Sequence, residues 1–203
     1  HEQGCGTERD KYQAAKLYEA ATKQGLTSAQ CNLGAMYEQG RGVDQNEAQA
    51  AELYRAAAEQ GLASAQYNLA VMLHQGRGGQ PESPRQAAEW YHRAAHQGHC
   101  PALFTLGTMF DTGEGVEKND REAAAWYRRA AEQGHGEAQM LLADRYAHGI
   151  GVPEDYVLAY HWFNRASAQG LEIAAENRHL IGRLLTSEQI DEAHRLTRGH
   201  LVA

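Results

Sequence analysis

The sequence predicts an all-α fold, a right-handed superhelical solenoid of antiparallel helix pairs, and three observations lead to this prediction. A nine-residue phrase recurs five times, in forms such as "LYRAAAEQG" and "WYRRAAEQG". Apolar residues between the copies follow the spacing of one helix face, and glycine pairs separate the two helical stretches of each copy. The glycines that end the phrase are 36 or 37 residues apart: Gly25, Gly61, Gly98, Gly134 and Gly170. Short regular periods of this kind are typical of repeat arrays.

The first helix of each pair, called helix A below, starts shortly after the phrase-ending glycine. In the first complete unit it is predicted over residues 29–39, with Ala29, Leu33 and Tyr37 on one face. A glycine pair then ends the helix, because glycine readily adopts the left-handed conformation that is common after a helix. The same columns recur in later units at Ala65, Ala102, Ala138 and Ala174 and at Leu69, Leu106 and Leu142.

The second helix of each pair, helix B, is predicted to start after a polar capping residue. The side chains of Asp, Asn and Ser accept a hydrogen bond from the free amides of the first helical turn. Ser28 and Ser64 are predicted to cap helices in the same way. The predicted caps of helix B are Asp10, Asn46, Ser83, Asn119 and Asp155.

Within helix B, bulky residues such as Trp126 and Tyr127 are predicted to fill the core, and small residues such as Ala123 are predicted to let the helices approach closely.

The repeats are expected to form a single solenoid domain over residues 1–203, because stacked pairs bury the apolar stripes that one hairpin leaves exposed. Residues 1–28 are predicted to be a partial first repeat with helix B only. Residues 29–174 are predicted to be four full repeats, and residues 175–203 to be C-terminal capping helices.

The two ends of the array carry separate predictions. Thr186 or Ser187 is expected to cap the final helix. The apolar face of the first helix B, formed by Leu17, Tyr18 and Ala21, is expected to be partly bare because no helix A precedes it. This predicts either a fragment of a longer array or a face that something else covers, and it leaves self-association through this edge open.

The column pattern resembles the Sel-1-like repeat, a relative of the tetratricopeptide repeat. The stretches "AQCNLGAMYEQGRGV" and "AAWYRRAAEQG" carry the resemblance, which covers about residues 4–174. The third unit departs from the pattern, with Gly79 in place of the usual valine. Some relatives carry a disulfide in every repeat, and Cys31 has no partner column for one. The resemblance implies a bacterial protein-interaction repeat, and periplasmic or secreted locations are implied more than the cytoplasm.

The resemblance also implies a binding groove on the concave face, lined mainly by helix A. Groove-facing positions in the related tetratricopeptide fold lie two residues before, two after and five after the core leucine. The first of these columns is apolar here and the last is polar to acidic, which predicts a ligand with apolar anchors and some positive charge. The alternative is that the aromatic residues lean into the core between helices. The predicted groove residues are Tyr67, Val71, His74, Phe104, Thr108, Asp111, Met140 and Asp144, with Cys31, Ala35, Glu38 and Ala147 in the same columns.

Composition excludes two classes of function. The net charge of −7 argues against non-specific nucleic-acid binding, which needs a concentrated basic face. No run approaches the roughly 18 apolar residues of a membrane span.

The sequence contains no pattern that predicts catalysis, a cofactor or a metal. It has neither a GxSxG nor an SxxK motif, and its Gly-x-Gly pairs follow no strand, so they are interpreted as turns. Three neighbouring histidines, His92, His96 and His99, are interpreted as surface residues because no acidic partner stands at metal-ligand spacing. A framework or solvated role is predicted for the repeated arginines Arg93, Arg129 and Arg165.

The predicted function is therefore a non-catalytic scaffold or adaptor that binds a peptide or protein partner on the concave face. Two alternatives stay open at this point. One is a hydrolase with a site assembled across repeats, and the other is a structural spacer that stacks end to end.

Overall fold

The computed structural model describes residues 8–199, with side chains from residue 10, and this part of the chain is helical with short connections. Cys5 and the start of the predicted partial first repeat lie outside the described residues. The helices are α1 Glu8–Lys23, α2 Thr27–Gln39, α3 Glu47–Glu59, α4 Ala63–Gln75, α5 Pro84–His96, α6 Cys100–Thr112, α7 Asp120–Glu132, α8 Gly136–His148, α9 Tyr156–Ser167, α10 Glu172–Gly182 and α11 Ser187–Gly199. The predicted all-α repeat solenoid is confirmed.

The chain forms two compact units, His1–Ala102 and Leu103–Ala203, with the boundary inside α6. In the first unit each helix from α1 to α5 packs on the next along the chain. In the second unit α7 packs on α8 and α8 on α9, and both α10 and α11 pack on α9. Even-numbered helices from α2 to α10 are of type A, and odd-numbered helices from α1 to α9 are of type B.

The predicted core columns are buried in both units. The alanine column of helix A is at most 4% exposed, and so is its leucine column. Trp126 and Trp162 are buried, and Trp90 is half-buried. The small alanine of helix B is fully buried in four of its copies, Ala50, Ala87, Ala123 and Ala159. The phrase therefore recurs because each copy contributes the same side chains to the packing between neighbouring helices.

Four of the five predicted helix B caps are confirmed. The side chains of Asn46, Ser83, Asn119 and Asp155 each accept a hydrogen bond from an amide of the first turn. The prediction is wrong for Asp10, because α1 begins at Glu8 and places Asp10 inside the helix.

The capping prediction is also wrong for Ser28 and Ser64. Each is the second residue of its helix, and the capping positions are occupied by Leu26 and Leu62, which have no side-chain cap. The turn that leads into helix A contains a glycine with a positive φ. Backbone hydrogen bonds close this turn, and no serine side chain is involved. In the second repeat, for example, the amide of Leu62 donates to the carbonyl of Ala57.

The two glycines of each Gly-x-Gly pair have different structural roles. The first of them ends helix A in the left-handed conformation, as at Gly149 with a φ of 66°. The second lies where the loop touches the start of the preceding helix B. A Cβ added at Gly78 would be 2.6 Å from the carbonyl oxygen of Glu47, and one at Gly151 would overlap the carbonyl oxygen of Asp120. The pair thus combines a helix stop with a close backbone approach.

The ends of the described chain bear on two further predictions. Thr186 caps α11 as a reciprocal capping box, because its hydroxyl accepts from the Gln189 amide while the Gln189 side chain accepts from the Thr186 amide. At the other end Leu17 is 72% exposed, whereas Tyr18 and Ala21, the other two residues of the predicted bare face, are half-buried, so this face of α1 is bare in part.

A buried aromatic column links helix B to the preceding helix A. Tyr54, Tyr91 and Tyr127 occupy it in three repeats and Phe163 in the next, all at most 2% exposed. Tyr54 donates its hydroxyl to Glu38 at 2.8 Å. Opposite Phe163 the position of Glu38 is taken by a buried alanine, Ala147. The tyrosine hydroxyl and its polar partner in helix A are therefore both present, as at Tyr54 and Glu38, or both absent, as at Phe163 and Ala147.

Replacing Phe163 by tyrosine is therefore expected to destabilise the protein by about 1–3 kcal/mol, the cost of a buried hydroxyl without a partner. Urea unfolding followed by helical circular dichroism measures the loss. Phe110→Tyr is the matched control, because Phe110 is half-buried in a column where other repeats carry tyrosine, and we expect a change within about 0.5 kcal/mol. Equal effects of the two substitutions would contradict the pairing of hydroxyl and partner.

Candidate partner-binding surface

In the first unit the predicted groove residues Tyr67, Val71 and His74 lie along α4, and all three are half-buried. The Tyr67 ring packs between two other rings. Its centroid is 5.6 Å from that of Tyr91 and 4.8 Å from that of His99. The contacts fix the orientation of the ring while part of its surface stays accessible to solvent.

The second unit repeats this arrangement with different residues. Phe104, Thr108 and Asp111 lie along α6, Met140 and Asp144 along α8, and all are half-buried. The Phe104 ring lies 5.9 Å from that of Tyr127 and stacks on the His135 ring at 4.3 Å, with the two planes 18° apart.

Each unit thus contains an aromatic cluster: Tyr67, Tyr91 and His99 in the first, and Phe104, Tyr127 and His135 in the second. The central ring of each cluster leans on the core and is half-buried rather than buried, so its contact with a ligand stays a prediction. Elsewhere in the same columns, Cys31 and Ala147 are buried and offer little to a ligand.

The contacts of the two cluster histidines with predicted groove residues were missed by the sequence analysis. A signal for them exists, because His99 and His135 both directly follow a phrase-ending glycine, one repeat after an aromatic residue in helix A. Where the helix A position is Cys31 or Met140, the residue after the glycine is a leucine instead. Aromatic residue and histidine therefore occur together.

His99 is expected to make the protein less stable in acid. Burial lowers the pKa of His99, and among the described residues its buried Nδ1 has no hydrogen-bond partner. A folded-state pKa below the unfolded value means that only the unfolded chain gains the proton readily. Stability is then full above the ordinary histidine pKa of about 6.5 and falls as the pH drops through that value.

The variant His99→Leu, which carries the residue of three other repeats, should lose less stability than the wild type between about pH 7.5 and about pH 5.5. Urea unfolding at both pH values measures the difference. His96→Gln is the control for loss of one exposed histidine from the same repeat. An unchanged pH dependence in His99→Leu would show that this ring does not cause the acid sensitivity.

Two acidic residues of the predicted groove columns, Glu38 and Asp111, are paired with arginines. In the first unit Glu38 accepts the Tyr54 hydroxyl and pairs with the Arg77 guanidinium at 3.1 Å, and Arg77 also binds Glu47 at 2.6 Å. Burial and the Glu38 carboxylate raise the pKa of Tyr54, so its hydroxyl remains a donor.

The second unit builds the same cluster two repeats later along the chain. Arg145 contacts Asp111 at 2.6 Å and Asp120 at 3.8 Å, and its guanidinium lies 5.3 Å from the centroid of the Tyr127 ring. Asp111 accepts the Tyr127 hydroxyl at 3.4 Å. The side chain of Arg145 is only 6% exposed. Glu38 and Asp111 therefore each have a guanidinium partner, but each cluster contains two carboxylates for one arginine, so the attraction of a positively charged ligand to this column stays a prediction.

The three neighbouring histidines and the repeated arginines of the sequence analysis do not form a common site. The Nε2 atoms of His92 and His96 are 3.3 Å apart on the surface of α5, whereas His99 packs on Tyr67. The repeated arginines have a framework role, as predicted, since each guanidinium lies over the tryptophan three residues before it. The pairs are Arg93 on Trp90, Arg129 on Trp126 and Arg165 on Trp162, at 4.3–5.1 Å.

Two cavities lie away from the aromatic clusters. One of about 640 Å³ in the first unit is lined by Tyr12, Tyr37 and the loop after α2, including Asp44. The other, of about 300 Å³, lies among α9, α10 and α11 and includes His179. Neither lining combines a carboxylate with a histidine, a pair that would favour the hydrolase alternative. Among the helices of residues 8–199, none is both long and apolar enough to cross a bilayer.

Comparison with solved structures supports the fold. A Sel1 repeat protein from Oxalobacter formigenes is 37% identical, with a TM-score of 0.77, over 82% of this chain and 48% of that one. The chain therefore spans about half the length of this relative. The cysteine-rich protein B of Helicobacter pylori is 22% identical over 66% of this chain and 97% of that one, with a TM-score of 0.50, and shares the fold alone. A comparison with curated proteins gave no match.

Comparison with family profiles identifies each repeat. The Sel1 repeat profile matches five consecutive segments, residues 1–26, 27–62, 63–99, 100–135 and 136–171. The matches cover most of the chain and fall in the register of the phrase-ending glycines. This chain belongs to the Sel1 repeat family.

Proposed function

We propose that the protein is a scaffold or adaptor that binds a peptide or protein partner through the helix A face of each unit. Sel1 repeat arrays generally serve as protein-interaction scaffolds. The proposal that the helix A face binds the partner rests on the pair of aromatic clusters. Tyr67 and Phe104 are held by neighbouring rings and remain half-buried, so an incoming side chain meets rings whose orientation is already fixed.

Fixed rings favour binding because the partner does not have to order them, and ordering a side chain costs about 0.5–1.5 kcal/mol. Aromatic residues supply a large contact area and are enriched among the residues that dominate binding energy. Because Glu38 and Asp111 are paired with arginines, apolar side chains are the part of the partner that this surface selects. Val71 and Met140 extend the half-buried apolar area next to the clusters.

The test is a peptide-display selection against the immobilised chain, followed by affinity measurements on the selected peptides. Val71→Glu and Met140→Glu each place a charge on the proposed surface without removing a cluster ring, and we expect each to weaken binding of peptides on its unit at least about tenfold. Ala125→Glu makes the same change on an exposed face of α7 and should leave binding unchanged. Peptides that bind all three variants like the wild type would refute the proposed surface.

A second candidate, the end-to-end spacer, is favoured by an exposed apolar surface at α1 and the turn after it. Leu17 in α1 is 72% exposed, and Leu26 in the turn is 52% exposed. Solution mass that rises with protein concentration, and that Leu17→Glu returns to the monomer value, would support self-association through this face. A concentration-independent monomer would count against it.

A further inference from the structure

The last helix A, α10, departs from the repeat at two positions where the earlier helices carry bulky apolar or aromatic residues. The column eight residues after the phrase-ending glycine is leucine in the four earlier repeats and Arg178 here. The column four residues further on is tyrosine, leucine or phenylalanine in the earlier repeats and Gly182 here. An arginine and a glycine therefore stand where the repeat pattern predicts core side chains.

The cavity of about 300 Å³ among α9, α10 and α11 lies at these two positions. Gly182 leaves part of this space open, since a Cβ there would lie 3.1 Å from Cε2 of the Tyr160 ring. The Tyr160 ring is backed by that of His194, with centroids 5.7 Å apart and planes 62° apart. The lining consists of Tyr160, Arg178, His179, Gly182, Arg183 and Ile190. The space is therefore bordered by basic and aromatic groups.

The cavity concentrates positive charge in a chain with a net charge of −7. Arg178 and Arg183 line it together with His179, and no carboxylate among the described residues does so. None of the ion pairs between described residues involves either arginine. An anion in the cavity would therefore meet two guanidinium groups without a carboxylate partner. The acidic residues of α10 and α11 are exposed and lie outside the lining: Glu172, Glu176, Glu188, Asp191 and Glu192.

Arg178 is held at the α9 side of the cavity. Its Nη1 donates to Oδ1 of Asn164 at 2.9 Å, and Asn164 lies one turn after Tyr160 on α9. The Arg178 side chain is half-buried. Because a guanidinium has five N–H donors, this one bond fixes the side chain and leaves donors for a ligand. Arg183 is exposed and gives the cavity a second guanidinium that solvent reaches directly.

Phosphate oxygens match this set of donors better than a carboxylate does. One guanidinium satisfies both oxygens of a carboxylate, whereas a phosphate monoester has three terminal oxygens and can bind two guanidinium groups at once. The volume lies at the lower end of the range of about 300–1,000 Å³ for small-molecule pockets. We propose that the cavity binds a small phosphate monoester, whose phosphate contacts Arg178 and Arg183 and whose organic part lies against the Tyr160 ring.

A purely solubilising end cap is the simpler role for polar residues at the end of a repeat array. Such a cap requires only that polar side chains face water, and the exposed carboxylates of α11 already meet this requirement. It does not require a half-buried arginine oriented by Asn164, nor a cavity beside an aromatic ring. The two roles differ in ligand binding, which can be measured.

Isothermal titration of the whole chain with phenyl phosphate at low ionic strength tests the proposal. We expect one site, and binding at least about tenfold weaker in Arg178→Leu and in Arg183→Gln. Arg178→Leu restores the residue of the four earlier repeats and should therefore fold. Arg85→Gln removes an exposed arginine of α5 and should leave binding unchanged. No uptake of phenyl phosphate by the wild type at millimolar concentration, or equal binding by all four proteins, would overturn the proposal and leave the end-cap role.

Three further ligands test the parts of the proposal separately. Inorganic phosphate lacks the organic part, benzoate replaces the phosphate by a carboxylate, and phenol lacks the anion. We expect phenyl phosphate to bind more tightly than all three, and a ligand that equals it would overturn the corresponding part of the proposal. Amide chemical shifts that change with phenyl phosphate should be confined to α9, α10 and α11. Changes centred on α6 and the Phe104 ring instead would contradict the location of the site.

Discussion

Replacing Gly151 by alanine is expected to destabilise the protein by about 3–5 kcal/mol, far more than the same substitution at Gly134. Both glycines have a positive φ, 70° at Gly151 and 91° at Gly134. This backbone conformation costs an alanine about 1–2 kcal/mol at either position. The difference lies in the surroundings, because nothing lies within 4 Å of a Cβ at Gly134, whereas a Cβ at Gly151 overlaps the backbone of Asp120.

The overlap at Gly151 cannot be relieved by a side-chain rotation. The atoms in the way are the carbonyl group of Asp120 and the amide of Arg121, at the start of α7. The loop after α8 would have to move away from α7, and the packing between these helices would open. Chemical denaturation of the two variants measures the difference in unfolding free energy. A loss at Gly151→Ala as small as at Gly134→Ala would show that the loop is not held against α7.

The comparison of sequence and structure shows why the core was predictable and the polar clusters were not. The core columns follow from one helical period repeated in register, so Leu142 is buried for the same reason as Leu69. A repeat pattern predicts what equivalent residues do. It contains no information about which non-equivalent residues meet across neighbouring repeats.

The arginines of the polar clusters illustrate this limit. Arg77 comes from the loop after a helix A, and Arg145 comes from within a helix A, so the two do not share a column. Both nevertheless pair with the two carboxylates of the corresponding cluster, Glu38 and Glu47 in one case and Asp111 and Asp120 in the other. The two arginines have the same role although they occupy different positions of the repeat, and only the three-dimensional structure reveals this. The aromatic–histidine contacts were missed for the same reason, since 31 or 32 residues separate the rings in sequence.

Arg145→Met is expected to destabilise the second unit by about 1–3 kcal/mol, because it removes charge-assisted hydrogen bonds made by a buried guanidinium that water screens little. The Arg145 side chain is 6% exposed, and its removal leaves Asp111 without a cation beneath the Tyr127 hydroxyl. Arg77→Met makes the same change in the first unit, where the arginine is 32% exposed. Water reaches this guanidinium and screens its ion pairs, so we expect a loss of only about 0.2–1 kcal/mol.

The double variant Asp111→Asn/Arg145→Met separates the effect of the uncompensated Asp111 charge from the effect of the lost arginine packing. Asparagine still accepts the Tyr127 hydroxyl bond but carries no charge, so the double variant should be more stable than Arg145→Met alone. Urea unfolding of the four proteins completes the comparison, and equal losses for Arg77→Met and Arg145→Met would contradict the role of burial. Because Arg145 joins α8 to residues of α6 and α7, its loss should also loosen the segment that carries Met140 and Asp144. Faster amide hydrogen exchange in α8 of Arg145→Met, with α9 unchanged, is the expected sign that this ion pair keeps the proposed binding surface in place.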